Sequence, residues 1–176
     1  FRRVLFRSTN QLFYGDGGTL GWNLTGNSGI DTTKFLGTTD HASLILKING
    51  ERAGFMNWGA WSTGTGSSTT AFGFHALNSY PYVTTAGGDG SPTAFGAFAL
   101  ANQVIDRDES TAVGNWALYW QNVAVARNTG IGQSALYCNE TGKNNAAAGV
   151  FSMEANTSGG SNAAYGMNSL RNSRTE

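Results

Sequence analysis

Thr70-Ala71-Phe72-Gly73 returns as Thr93-Ala94-Phe95-Gly96, Thr111-Ala112-Val113-Gly114, Thr129-Gly130-Ile131-Gly132, Ala146-Ala147-Ala148-Gly149 and Ala163-Ala164-Tyr165-Gly166. The glycines are 23, 18, 18, 17 and 17 residues apart. Three and four positions after each glycine stand a small residue and a long apolar one: Ala76-Leu77, Ala99-Leu100, Ala117-Leu118, Ala135-Leu136, Ser152-Met153 and Ser169-Leu170. Six matches in one register define a tandem repeat, and a repeat governs every local assignment made after it.

A unit this short cannot enclose a core alone, so successive units must stack and bury a continuous apolar column. The Thr-Ala-apolar stretch has the β-branched and aromatic character of a short strand. The glycine that follows permits close approach or a positive φ where the chain turns. The x-x-Ala-Leu-x-x-Asn piece reads either as a second strand or as a single helical turn, and the helix preference of Ala and Leu favours the turn. The expected fold is mainly β: a parallel β-solenoid, or β-roll, of about six coils of 17–18 residues. Coils about 4.8 Å apart would make a rod roughly 25–30 Å long. Ala two before the glycine and a small residue three after it imply a thin interior with no room for a ligand cavity.

Upstream, residues 43–49 set Leu44, Leu46 and Ile48 against Ser43, Lys47 and Asn49, with Ile45 the exception, the alternation of a half-buried strand. Asn49-Gly50 is a two-residue hairpin turn, with the return strand running from Glu51 to Met56. The expected organisation is a small β-hairpin unit over 9–60 that starts or caps the solenoid, then the repeat array over 61–176. Residues 1–8, Phe-Arg-Arg-Val-Leu-Phe-Arg-Ser, resemble an in-frame translation of a short-read sequencing adapter and are set apart from the fold reasoning. Together with an array that stops partway into a coil over 171–176, this points to a fragment truncated at both ends.

Composition narrows the function. Charged residues make up 12% of the chain and Gly contributes 25 positions, a balance suited to turn-rich β-structure. The formal charge is zero, but Arg2, Arg3 and Arg7 lie in the opening octapeptide; without them, eight basic residues face eleven acidic ones, leaving −3. A slightly acidic chain with no basic cluster argues against a nucleic-acid partner. Cys138 is the sole cysteine, which rules out an intrachain disulfide and a four-cysteine zinc site. No apolar run approaches the roughly 20 residues a bilayer-spanning helix needs, so no membrane insertion is expected.

The residues that suggest chemistry are few. His41 and His75 belong to no metal-binding spacing, and Asp40-His41 beside Ser43 lacks the nucleophile-elbow motif of a hydrolase. Gly15-Asp16-Gly17-Gly18 and Gly87-Gly88-Asp89-Gly90 lack both the tandem calcium nonapeptide and the Gly-Lys-Ser/Thr of a phosphate loop, and read as turns. The sequons at Asn23, Asn139 and Asn156 are expected by chance in an Asn- and Thr-rich chain. Cys138 reads as a half-buried filler. No catalytic residue, cofactor or metal site is expected. The best candidates for glycan or receptor contact are Tyr80 and Tyr82, in the longest inter-coil interval, and Trp116 and Trp120; the duller reading of both tryptophans is core or interface packing.

Over 69–172 the repeat resembles the head repeats of trimeric autotransporter adhesins, and more closely the arrays of tail-fibre-like proteins of phages and bacteria. Gly21-Trp22-Asn23-Leu24-Thr25-Gly26-Asn27 and Phe35-Leu36-Gly37-Thr38-Thr39-Asp40 look like the segment that precedes such arrays. The resemblance implies a left-handed parallel β-roll in a homotrimer, with longer coils here than in the adhesin heads. The expectation is therefore an extracellular, non-catalytic spacer of a surface fibre, on a virion tail or a bacterial cell, presenting a tip to a glycan or protein receptor. Two alternatives are a β-solenoid polysaccharide-degrading enzyme, which the scattered Asp106, Asp108, Glu140 and Glu154 support poorly, and an ice-binding solenoid, suggested by Thr70, Thr93, Thr111 and Thr129 in one slot.

Overall fold

A computed structural model describes residues 6–8, 11–13, 36–38, 42–57, 68–79, 90–103, 109–122 and 126–173. The chain divides into two compact units, 1–37 and 38–176. In the first, β1 (Phe6–Ser8) pairs antiparallel with β2 (Gln11–Phe13), so three residues of the opening octapeptide form a strand. The second holds a single sheet of eight strands in the order β10-β9-β8-β7-β6-β5-β4-β3. These are β3 (Leu44–Ile48), β4 (Glu51–Asn57), β5 (Thr69–Phe72), β6 (Thr93–Phe95), β7 (Thr111–Val113), β8 (Thr129–Ile131), β9 (Ala146–Ala148) and β10 (Ala163–Tyr165).

From β5 to β10 every pairing is parallel and joins equivalent positions of successive repeats: Ala71 faces Ala94, Ala94 faces Ala112, and Ala147 faces Ala164. This is a parallel β-solenoid, and the repeat period alone sets its register. Strand side chains alternate sides, so the central small residue of each coil strand, Ala in five and Gly130 in β8, is buried while the residues on either side of it point outward. The core is narrow: Ala71, Ala94, Ala112, Ala147 and Ala164 from the strands, Ala76, Ala99, Ala117 and Ala135 after the glycines, and the column Leu77, Leu100, Leu118, Leu136, Met153.

The hairpin covers the first coil. Asn49 and Gly50 both have positive φ, 50° and 81°, as a type I′ turn requires. β4 runs antiparallel to both β3 and β5, and the pairing of β3 with β4 shifts register between Leu46 and Lys47. Phe55 adds its ring to the core, and the buried Arg52 guanidinium donates to the carbonyls of Ala76, at 3.2 Å, and Leu77. A fixed charge thus terminates carbonyls of the first turn.

The Ala-Leu segment is not helical. The second and fourth residues after each glycine have φ near +50° in all six repeats, including Trp116 (57°) and Leu118 (51°). Each glycine carbonyl accepts from the N–H three residues on, at 3.1–3.4 Å, giving overlapping β-turns whose third residue carries the positive φ of type II. The alternation turns N–H groups outward in both directions. Phe98, Trp116, Ser134, Phe151 and Asn168 donate to the preceding coil at 2.9–3.0 Å, whereas Leu77, Leu100, Leu118, Leu136 and Met153 donate to the next at 2.9–3.1 Å. A helical turn would keep these donors inside its own coil and leave the stack unbonded on that side. The left-handed conformation costs roughly 1–2 kcal/mol per residue; burial of a Leu side chain contributes about 2 kcal/mol and the inter-coil bond about 1 kcal/mol. With two left-handed residues and two inter-coil bonds per coil, strain and gain come close to balancing at a few kcal/mol each. Helix propensity, worth only a few tenths of a kcal/mol per residue, loses to the donors that a helical turn would withhold from the stack.

Beside the apolar column runs a second, polar core. Ser110, Asn128, Asn145 and Asn162 directly precede successive strands, while Gln103, Gln121, Asn139 and Asn156 stand seven residues after successive glycines. All but the half-buried Asn162 are fully buried. Asn128 Oδ1 accepts the Asn145 N–H at 2.9 Å, and Asn145 Oδ1 accepts the Asn162 N–H at 3.0 Å. Asn128 Nδ2 donates to Gln121 Oε1 and to the Gly142 carbonyl, both at 2.7 Å, and Asn156 Nδ2 donates to Asn139 Oδ1 at 2.6 Å. Buried amides are tolerated because they are bonded. The two files are separated by seven residues from Gln121 to Asn128 but six from Asn139 to Asn145, and this is where 18-residue coils differ from 17-residue ones.

Candidate functional site

The outer side of the sheet carries two ladders. Phe72, Phe95, Val113, Ile131, Ala148 and Tyr165 stand in register from β5 to β10, with the Phe72 and Phe95 rings stacked at 5.6 Å. Phe95, Val113 and Ile131 are each about 40% exposed. Parallel to them run Thr70, Thr93, Thr111 and Thr129, then Ala146 and Ala163, mostly half-buried. Neither ladder has a charged member. An outward row of apolar side chains repeated coil after coil is the kind of contiguous surface that marks an interaction site.

The turns after the strands build an aromatic cluster from four successive coils. Phe74 meets Phe98 edge-on at 5.7 Å, and Phe98 lies 6.4 Å from both Trp116 and Tyr119. Tyr119 meets Trp120 edge-on at 5.1 Å and stacks on Tyr137 at 5.3 Å with 7° between planes. The structure therefore brings Trp116 and Trp120 into one cluster, both over 40% exposed. Phe98 and Tyr119 link them, and neither was singled out from the sequence. The signal for Tyr119 and Tyr137 was their shared slot five residues after successive glycines. Tyr80 and Tyr82 lie outside the described residues, as do Asp40, His41, Asn23, Gly15-Asp16-Gly17-Gly18 and Gly87-Gly88-Asp89. Gly73, Gly96, Gly114, Gly132, Gly149 and Gly166, by contrast, act structurally: all six have φ between 108° and 140° at the end of their strands.

The remaining polar groups act locally. His75 rests on Phe74, with ring centroids 4.0 Å apart, and its Nε2 lies 3.4 Å from Glu51 Oε2. Ser43 Oγ donates to Asn57 Oδ1. Arg127 meets Glu109 at 2.7 Å and Arg171 meets Glu154 at 2.6 Å, each bridging neighbouring coils on the surface. The hydrogen bond to Glu109, and then its charge, raises the Arg127 pKa above its ordinary value; exposed pairs of this kind add little stability. Asn139 and Asn156, which head two of the sequons, are buried in the polar core and closed to glycosylation in the folded chain. Cys138 is half-buried. Among the described residues no group of three or more His, Cys, Asp or Glu could hold a metal ion, and no helix is long and apolar enough to cross a membrane.

Compared with protein-family models, with curated proteins and with solved structures, the chain matches none.

Proposed function

We propose that the chain is a non-catalytic spacer of an extracellular surface fibre, on a virion tail or a bacterial cell, and that three copies associate laterally through the outward apolar ladder. The observation that carries this reading is the ladder itself. The core of one coil is a few alanines and one leucine, while side chains large enough to fill a second core, Phe95, Val113 and Ile131, stand outside it. Association about a threefold axis would bury that row along its whole length. The resemblance of the repeat to trimeric fibre proteins supports the same arrangement.

Light scattering on the full chain is expected to give three times the 18.6 kDa chain mass. Changing Val113→Glu and Ile131→Glu together is expected to reduce the particle to a monomer with an unaltered far-ultraviolet circular dichroism spectrum. A well-folded monomer of the unmodified chain would sink the trimer.

Under the same reading, Trp116 and Trp120 are the receptor-contact residues, since exposed aromatic faces supply large contact area at low conformational cost. The double change Trp116→Ala, Trp120→Ala is expected to weaken binding to a neutral cell-surface glycan at least about tenfold, roughly 1.4 kcal/mol, without changing the oligomeric mass. Unchanged binding would return both tryptophans to a packing role.

One observation favours a second reading. Thr70, Thr93, Thr111 and Thr129 stand in exact strand register on the outer side, the regular hydroxyl array an ice-binding face uses. Thermal hysteresis of the unmodified chain would separate the two: its presence favours ice binding, its absence the fibre.

A further inference from the structure

Two phenols occupy one slot of the stack. Tyr119 and Tyr137 each stand five residues after a strand-ending glycine, Gly114 and Gly132, and one 18-residue coil separates them. Inter-coil bonds on either side hold that register: the Leu118 N–H donates to the Ala135 carbonyl at 3.0 Å, and the Trp120 N–H to the Tyr137 carbonyl at 3.1 Å. The two rings lie 5.3 Å apart with 7° between their planes. Tyr165, the other described tyrosine, has Ala148 as its ladder neighbour on β9, so no phenol stands beside it there.

The surroundings open the pair to oxidation. Both tyrosines are half-buried rather than sealed in the core. Tyr119 also meets Trp120 edge-on at 5.1 Å, and that indole is 46% exposed. Indoles and phenols are the side chains that one-electron oxidants attack. A phenol that loses an electron and its proton becomes a phenoxyl radical, with the unpaired spin shared between the oxygen and the ring carbons ortho to it. In a dilute solution such a radical must diffuse to find a second one. Here the second phenol already stands on the next coil, and held proximity of this kind turns a bimolecular step into a unimolecular one.

We propose that Tyr119 and Tyr137 form a modification site: a peroxide-driven one-electron oxidant of the haem-peroxidase class couples them to a dityrosine that ties the Gly114 coil covalently to the Gly132 coil. Each phenol gives up one electron and its O–H proton. The two radicals join through a new bond between ortho ring carbons, one Cε from each ring. Each joined carbon then releases its hydrogen as a proton, and each phenolic oxygen takes one up again. The net loss from the chain is two ring hydrogens, and hydrogen peroxide is reduced to two molecules of water. The rings reach this geometry by turning about their Cβ–Cγ bonds, a torsion with a broad minimum in tyrosine. The bond closes an 18-residue loop, and a cross-link of that span disfavours the unfolded chain. Neither lateral association nor a receptor enters this reaction, so the proposal stands apart from both.

The test treats the full chain with a haem peroxidase and hydrogen peroxide, then digests it with trypsin. Cleavage after Arg107, Arg127 and Lys143 puts the two tyrosines on separate peptides, 108–127 and 128–143. Mass spectrometry is expected to find these two peptides joined and lighter than their sum by two hydrogen atoms. The yield is expected to stay constant when the chain is diluted about tenfold before oxidation, because the coupling is unimolecular. Tyr137→Phe, which keeps the stacked ring and removes the phenol, is expected to abolish the joined pair, and Tyr165→Phe to leave it unchanged. The proposal would be overturned by absence of the pair, by a yield that falls with dilution, or by a pair no more abundant than products linking Tyr165. A monomeric or trimeric mass alters none of these outcomes, so failure of the lateral reading and failure of this one are told apart.

Discussion

Replacing Gly132 with alanine is expected to destabilise the chain by about 3–5 kcal/mol, whereas Gly166→Ala costs only about 1–2 kcal/mol. Both glycines have positive φ, 126° and 108°, so both substitutions strain the backbone. Only Gly132 faces a neighbour: its Cβ would sit 2.6 Å from the carbonyl carbon and oxygen of Gly149. Backbone cannot rotate aside as a side chain does. Relief requires the two coils to part, which breaks the inter-coil bonds of Gly149, Phe151 and Leu136 around the contact. Guanidinium unfolding followed by circular dichroism measures the difference. Equal losses for the two variants would show that φ strain, not the closeness of the coils, makes glycine necessary.

The second large effect is expected in the polar core. Asn128→Ala removes the acceptor of the Asn145 N–H and the donor to Gly142 O and Gln121 Oε1. Each orphaned buried group costs about 1–3 kcal/mol, and since the neighbours share partners the costs do not simply add. A net loss of about 3 kcal/mol is expected, against less than about 0.5 kcal/mol for Asn115→Ala on the surface. Coils contact only their neighbours, so the damage should concentrate on either side of β8. Amide exchange across β7, β8 and β9 would show whether it does, and uniform loosening along the stack would contradict it.

The glycine period made the solenoid legible. A spacing of 17 or 18 residues with alanine and leucine in fixed slots admits stacking and little else, and Asn49-Gly50 marked the hairpin. The turn segment misled because Ala and Leu favour helix when a segment is judged alone. Their conformation is set instead by donors that must reach two neighbouring coils, a requirement that exists only once the coils are stacked. The asparagine files were hidden for a related reason. Asn128, Asn145 and Asn162 recur at the coil period as faithfully as the glycines, but a polar residue near a turn reads as solvent-facing until a partner is placed beside it. Of the candidate site, Trp116 and Trp120 were visible as aromatic bulk, while their connection through Tyr119 depended on which way each turn residue points.

The single-residue difference between longer and shorter coils has a genetic consequence. All the slots that must match a neighbour, from asparagine through strand, glycine and leucine to the second amide, keep constant spacing; length varies only in the stretch between one coil's second amide and the next coil's asparagine. Duplication or deletion of whole coils by recombination would therefore preserve every ladder, and small insertions would be tolerated in that one stretch. A gene built this way can change the reach of its product by counting, and can diversify one edge of it while the rest stays fixed.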